Sequence, residues 1–146
     1  MTRFLSLSAL LLIAFLIASG CGGSSNQQLQ SIAISPASAD ANHYSNGLVP
    51  FTALGTFNKP PSPSPLSSKE VTWCYGGTAT QANLTAGICA GNIAQFATVD
   101  SNGVAQCNAQ FVGSAIILAG IPLSPIVNPD SGPQLKIFGS AVLTCP

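Results

Sequence analysis

The chain has 146 residues, of which only 5% are charged, with four basic and four acidic side chains and a net charge of zero. Nucleic-acid binding calls for clustered lysine and arginine, so this composition speaks against it. Solubility must come from Ser, Thr, Asn and Gln. Together with many Gly, Pro, Val and Ile, these fit short strands joined by turns rather than amphipathic helices rich in Glu and Lys.

At the start, Arg3 supplies a positive charge and Ala9 to Ala18 is an unbroken apolar run. Even counted from Phe4 to Ala18 the stretch has 15 residues, broken by Ser6 and Ser8. That is short of the roughly 20 that a spanning helix needs. Small residues Ala18, Ser19 and Gly20 follow, directly before Cys21. A positive start, a short apolar segment and a small-residue site read as a secretory signal peptide over residues 1–20.

The junction at Cys21 resembles the lipobox of bacterial lipoproteins, although Ala18 stands where that family usually has leucine. The resemblance implies that Cys21 is acylated and becomes the new N-terminus, attaching the protein to a membrane of the cell envelope through its lipid. Gly22 rather than aspartate implies, by resemblance to enterobacterial sorting, the outer membrane. Beyond that point the chain keeps Lys59, Lys69 and Lys136 against Asp40, Glu70, Asp100 and Asp130. It has no polybasic patch for anionic lipid. Residues 21–30 form the lipidated end and a polar tether, and residues 31–146 suit one domain of ordinary size.

Along that domain, residues 31–35 alternate apolar and small polar side chains until Pro36, which predicts an edge strand. Residues 51–57 alternate again, with Phe51, Ala53, Gly55 and Phe57 sharing a face. Residues 58–68 hold Pro60, Pro61, Pro63 and Pro65. This predicts an exposed polyproline-like loop outside any ladder. In the strand expected at 71–75, Val71, Trp73 and Tyr75 share a face and Cys74 points the other way. Residues 76–95 read as a long loop that something must tie down. Strands at 96–99 and 104–107 flank Asp100-Ser101-Asn102-Gly103, where Asn-Gly supplies the positive φ a hairpin needs. Residues 114–119 are the most apolar run of the domain and should be central. A second Pro-rich loop, 121–132, leads to a last strand at 138–145.

Cys74, Cys89, Cys107 and Cys145 are an even set in an exported chain, which favours two disulfides. They lack the close spacing of a zinc site. Three pairings are possible. A Cys74–Cys89 bridge would tie down the 75–95 loop, and Cys107 and Cys145 fall at the same end of the domain by strand counting.

Residues 31–36, 51–57, 71–73 and 96–103, followed by strands at 113–119 and 139–144, resemble in order and spacing the bacterial Ig-like domain, group 2. The cysteines and the long loops depart from that family's pattern. The resemblance implies an all-β, Ig-like antiparallel β-sandwich of about seven strands. It also implies an extracellular spacer or adhesive module without catalytic residues, cofactor or metal.

The residues themselves offer little chemistry. His43 is the only histidine, the four acids are spread along the chain, and no Gly-x-Ser-x-Gly elbow is present. Asp100 to Gly103 lacks the further ligands of a calcium loop. The expectation is a binding, adhesive or structural module of the envelope, with a protein or glycan partner met by its loops. The competing reading is a small envelope enzyme or enzyme inhibitor with its site in the long loops.

Overall fold

The computed structural model describes residues 26–90, 96–123 and 132–146. Among them the chain forms ten strand segments and one short helix. In order these are β1 (Leu29–Ser35), β2 (Ser38–Asp40), β3 (Leu48–Pro50), β4 (Thr52–Phe57), β5 (Ser64–Pro65), β6 (Thr72–Thr78), α1 (Gln81–Ala86), β7 (Ala97–Val99), β8 (Val104–Cys107), β9 (Gly113–Pro122) and β10 (Leu135–Cys145). The fold is an all-β sandwich.

One layer is the sheet β2-β10-β9-β6, and the other is made of β1-β4-β5 and β3-β8-β7. The last two belong together because β3 and β4 are halves of one extended run. Only Phe51 divides them, and its N–H donates to the Gly103 carbonyl (2.9 Å). Along this run β1 pairs with one half and β8 with the other, while β9 separates β10 from β6. This is the strand order of a constant-type immunoglobulin sandwich.

Ten segments stand where about seven strands are expected, and the surplus has local causes. β3 and β4 are one strand interrupted at Phe51. β2 is set off from β1 at Pro36, and it pairs in parallel with β10 instead of continuing beside β3. β5 is a two-residue edge piece on β4. That piece corrects the reading of 58–68 as free of any ladder. Ser64 and Pro65 sit opposite Gly55 and Leu54, and the Leu66 N–H donates to the Ala53 carbonyl (2.8 Å). Pro65 can stand there because it lies on an edge, where its missing N–H breaks no ladder.

The expected alternation places the core. Ile32, Ile34, Val49, Phe51, Ala53, Val71, Tyr75, Ala115, Ile117, Ala119, Ala141 and Leu143 are buried together between the layers. Many are alanines, so the layers approach closely. At Gly139 an added Cβ would lie 2.7 Å from the Ile32 carbonyl oxygen, so only glycine fits where β10 crosses β1. Strand β9 is central, as its apolar run predicts, and it is buried on both faces. Its other face, Ile116 and Leu118, joins Cys89 and Leu135 in a second cluster, against which Cys74, Leu84 and Phe138 pack.

The cover over that second face shows what ties down the expected loop 76–95, of which residues 91–95 lie outside the described residues, and adds structure within it. Strand β6 runs on to Thr78, α1 follows, and Ile88 bridges Gln134. The Ala90 N–H donates to the Tyr75 carbonyl (2.7 Å) and the Leu135 N–H to the Gly87 carbonyl (2.8 Å). The hairpin at 100–103 also differs in detail. Gly103 alone takes a positive φ (+82°), so the turn needs one left-handed residue rather than an Asn-Gly pair. In the second Pro-rich loop, β9 extends through Pro122, and residues 124–131 lie outside the described residues.

Candidate functional site

Cys21, the expected lipid site, lies outside the described residues, as does Asp130. The other four cysteines form the two expected bridges, Cys74–Cys89 and Cys107–Cys145, with Cα atoms 5.6 and 5.7 Å apart. Cys74 faces away from Trp73, and so its bridge clamps the α1 segment onto the outer face of β9. Cys107 and Cys145 join the ends of β8 and β10 across the two layers.

The described carboxylates serve their own turns. Asp40 Oδ1 accepts from the Asn42 N–H (2.9 Å) at the start of a single turn of 3-10 helix, Ala41–His43. Asp100 Oδ1 accepts from the N–H groups of Asn102 (2.9 Å) and Val104 (2.8 Å), tightening the hairpin. Glu70 Oε2 accepts from the Ser67 hydroxyl and N–H, both at 2.7 Å. These bonds hold its carboxyl below the ordinary glutamate range, the hydroxyl contributing most. His43 is exposed on the 3-10 turn. No three His, Cys, Asp or Glu side chains among the described residues gather closely enough to hold a metal.

Tyr75 is buried in the core, edge-on to Phe96 with ring centroids 6.3 Å apart. Burial raises its phenol above the ordinary tyrosine range, and its hydroxyl has no hydrogen-bond partner among the described residues.

A cleft of about 330 Å³ opens at the end of the sandwich marked by the Cys107–Cys145 bridge. Asn42, Tyr44, Asn46 and Gly47 come from the turns between β2 and β3. Gln106, Cys107, Asn108 and Phe111 come from β8 and the corner leading to β9. The lining residues include four that carry side-chain amides and two that carry aromatic rings, together with Pro146, and none of them is Asp, Glu, Lys or Arg. Phe111 is braced by Phe96, with centroids 4.2 Å apart. Asn46 has φ +57°, the only positive φ at a described residue other than glycine. Leu48 and Val112, both exposed, directly follow Gly47 and Phe111 in the chain.

The opposite end of the sandwich receives the tether. Gln28 N–H donates to Asn58 Oδ1 (2.8 Å), and Gln27 Nε2 donates to the carbonyls of Lys59 (2.9 Å) and Pro61 (3.1 Å). Leu29 lies opposite Phe57, whereas Leu48 lies opposite Gln106 at the cleft. The run from Leu48 to Phe57 thus separates the two ends by about 30 Å at the rise of an extended chain.

None of the cleft's amides or rings stands out in the sequence as a site. The one available signal is Asn46-Gly47, a turn dipeptide of the same kind as Asn102-Gly103. Gathering Asn42, Asn46, Gln106 and Asn108 into one wall required the β3–β8 pairing. No protein-family model, curated protein or solved structure matches this chain.

Proposed function

We propose that this is a lipid-anchored protein of the bacterial cell envelope whose single Ig-like domain is a non-catalytic binding module. The observation that carries the reading is the opposition of its two ends. The chain enters at the Gln27–Pro61 end from the side of Cys21, and the cleft occupies the far end, some 30 Å away along the strands. A domain held at one end by acyl chains would present the cleft outward. Loops on a rigid sandwich commonly carry recognition. Two disulfides suit an oxidising compartment, in agreement with a secretory signal over residues 1–20. Family membership in the group 2 bacterial Ig-like domains is part of the same reading, supported by the strand order.

Several acyl chains, at about 0.8 kcal/mol per buried methylene, would hold so small a domain on a bilayer essentially permanently. The anchor is tested by growing cells with a labelled fatty acid. Wild type should take up label and remain with membranes, while Cys21→Ser should do neither. Equal labelling of the two would overturn the anchor.

A further inference from the structure

Resting on the reading of the domain as a binding module, we propose that the cleft at the Cys107–Cys145 end binds an uncharged sugar residue of a glycan. Its volume, about 330 Å³, lies at the small end of the range of about 300–1,000 Å³ for small-molecule clefts. That suits one ring rather than an extended ligand. Each side-chain amide offers both donors and an acceptor, the same dual capacity that a sugar hydroxyl has. Asn42 and Asn46 from one stretch of chain, and Gln106 and Asn108 from another, bring this capacity to the lining. Among the described residues the side chains of Asn42, Asn46 and Gln106 make no hydrogen bond that a ligand would have to break. Tyr44 and Phe111 supply rings for the apolar C–H face of a pyranose, and Tyr44 adds a hydroxyl.

A further observation narrows the class. With no Asp, Glu, Lys or Arg side chain in the wall, a sialylated, uronic or phosphorylated ligand would lose its hydration without an ion partner. A peptide would commonly add as a strand to a free sheet edge. β8 and β10 are paired on both sides, by β3 and β7 and by β2 and β9, whereas β3 ends its sheet with one side free beside Gly47, so the peptide arm of the test below separates an added strand from a sugar.

The test uses the full chain, purified in detergent, on an array that carries neutral glycans, acidic glycans and uncharged Ser/Asn-rich peptides. Retention on neutral glycans is expected, weakened at least tenfold in Asn42→Ala and in Gln106→Ala. Both positions are exposed, so unfolding temperatures should stay at the wild-type value, and Ser31→Ala on β1 serves as a control that leaves binding unchanged. Absence of neutral-glycan binding overturns the proposal, as does binding that both variants retain. Equal retention of acidic and neutral glycans overturns it as well. If peptides alone bind, and do so with the same sensitivity to the variants, the sugar assignment fails and the module reading stands. The anchor is judged separately, by fatty-acid labelling.

Discussion

The two apolar clusters on either side of β9 are built differently. Between the layers, Ile117 belongs to a cluster that draws residues from seven other strands, from Ile34 on β1 to Leu143 on β10, so that cluster is assembled by sheet pairing. On the outer face, Ile116 and Leu118 are covered by Leu84 and Cys89, with Leu135 and Phe138 of β10 beside them. Leu84 and Cys89 belong to one short segment of chain, held by the Cys74–Cys89 bridge and by a few hydrogen bonds such as Leu135 N–H to Gly87 carbonyl. Both faces of β9 are equally sealed, Ile116 and Ile117 each being 0% exposed. The difference teaches that equal burial need not mean equal rigidity. A wall of laddered strands resists collapse around a cavity, and a covalently pinned cover can settle into one.

The sharpest test truncates the two neighbours. Within the usual range of about 2–5 kcal/mol for isoleucine to alanine in a core, Ile117→Ala should fall near the top and Ile116→Ala near the bottom. Urea unfolding midpoints measure both, and equal losses would erase the distinction drawn here.

Removing the bridges separates the regions another way. The loops closed span 38 and 15 residues, so loop entropy assigns about 4 kcal/mol to Cys107–Cys145 and about 3 to Cys74–Cys89. In Cys74→Ser/Cys89→Ser, hydrogen exchange should quicken at Leu84, Cys89, Ala90 and Leu135 while Ile32, Ile34 and Ala53 stay protected. Uniform loss of protection would show that the roof and the inter-layer core unfold as one unit.

At the hairpin beside the inter-layer core, Gly103 has φ +82° and an added Cβ would lie 2.6 Å from the Phe51 carbonyl oxygen. Gly103→Ala should therefore cost about 2 kcal/mol, left-handed strain plus that clash. Asp100→Ala, which strips two N–H groups of their acceptor, should cost about 1 kcal/mol. Neither should alter exchange at Leu84 or Cys89, and if either does, the two clusters are coupled through β9.

The smallest effect lies outside both clusters, at Glu70. Its folded pKa is lowered by Ser67, so its contribution is present above the unfolded pKa and disappears as pH falls through the folded value. The carboxylate is almost fully solvated, and screening keeps the contribution well under about 1 kcal/mol. Stability measured between neutral and acidic pH should lose the larger part of this small slope in Ser67→Ala, which removes the hydroxyl and keeps the backbone N–H. An unchanged slope would remove Ser67 as its cause.

Strand periodicity alone identified the inter-layer core. Alternation at 31–35, 51–57 and 71–75 assigns side chains to faces because a strand has period two, and the run 114–119 has too many apolar residues for any place but the centre. The two bridges followed from cysteine parity, the outward aim of Cys74, the need to tie down residues 75–95, and strand counting that put Cys107 and Cys145 at one end. What only the tertiary structure decided depends on contacts distant in sequence. The roof over Ile116 and Leu118 exists because the Cys74–Cys89 bridge returns 79–90 to the sheet, and α1 has no amphipathic pattern long enough to announce it. Ser64 and Pro65 join an edge because β4 offers an unpaired side there, which a Pro-rich composition hides. The cleft is the clearest case. Asn, Gln, Tyr and Phe are ordinary turn and strand residues one at a time, and they become a site only where the pairing of Leu48 with Gln106 brings residues 42–47 against residues 106–111.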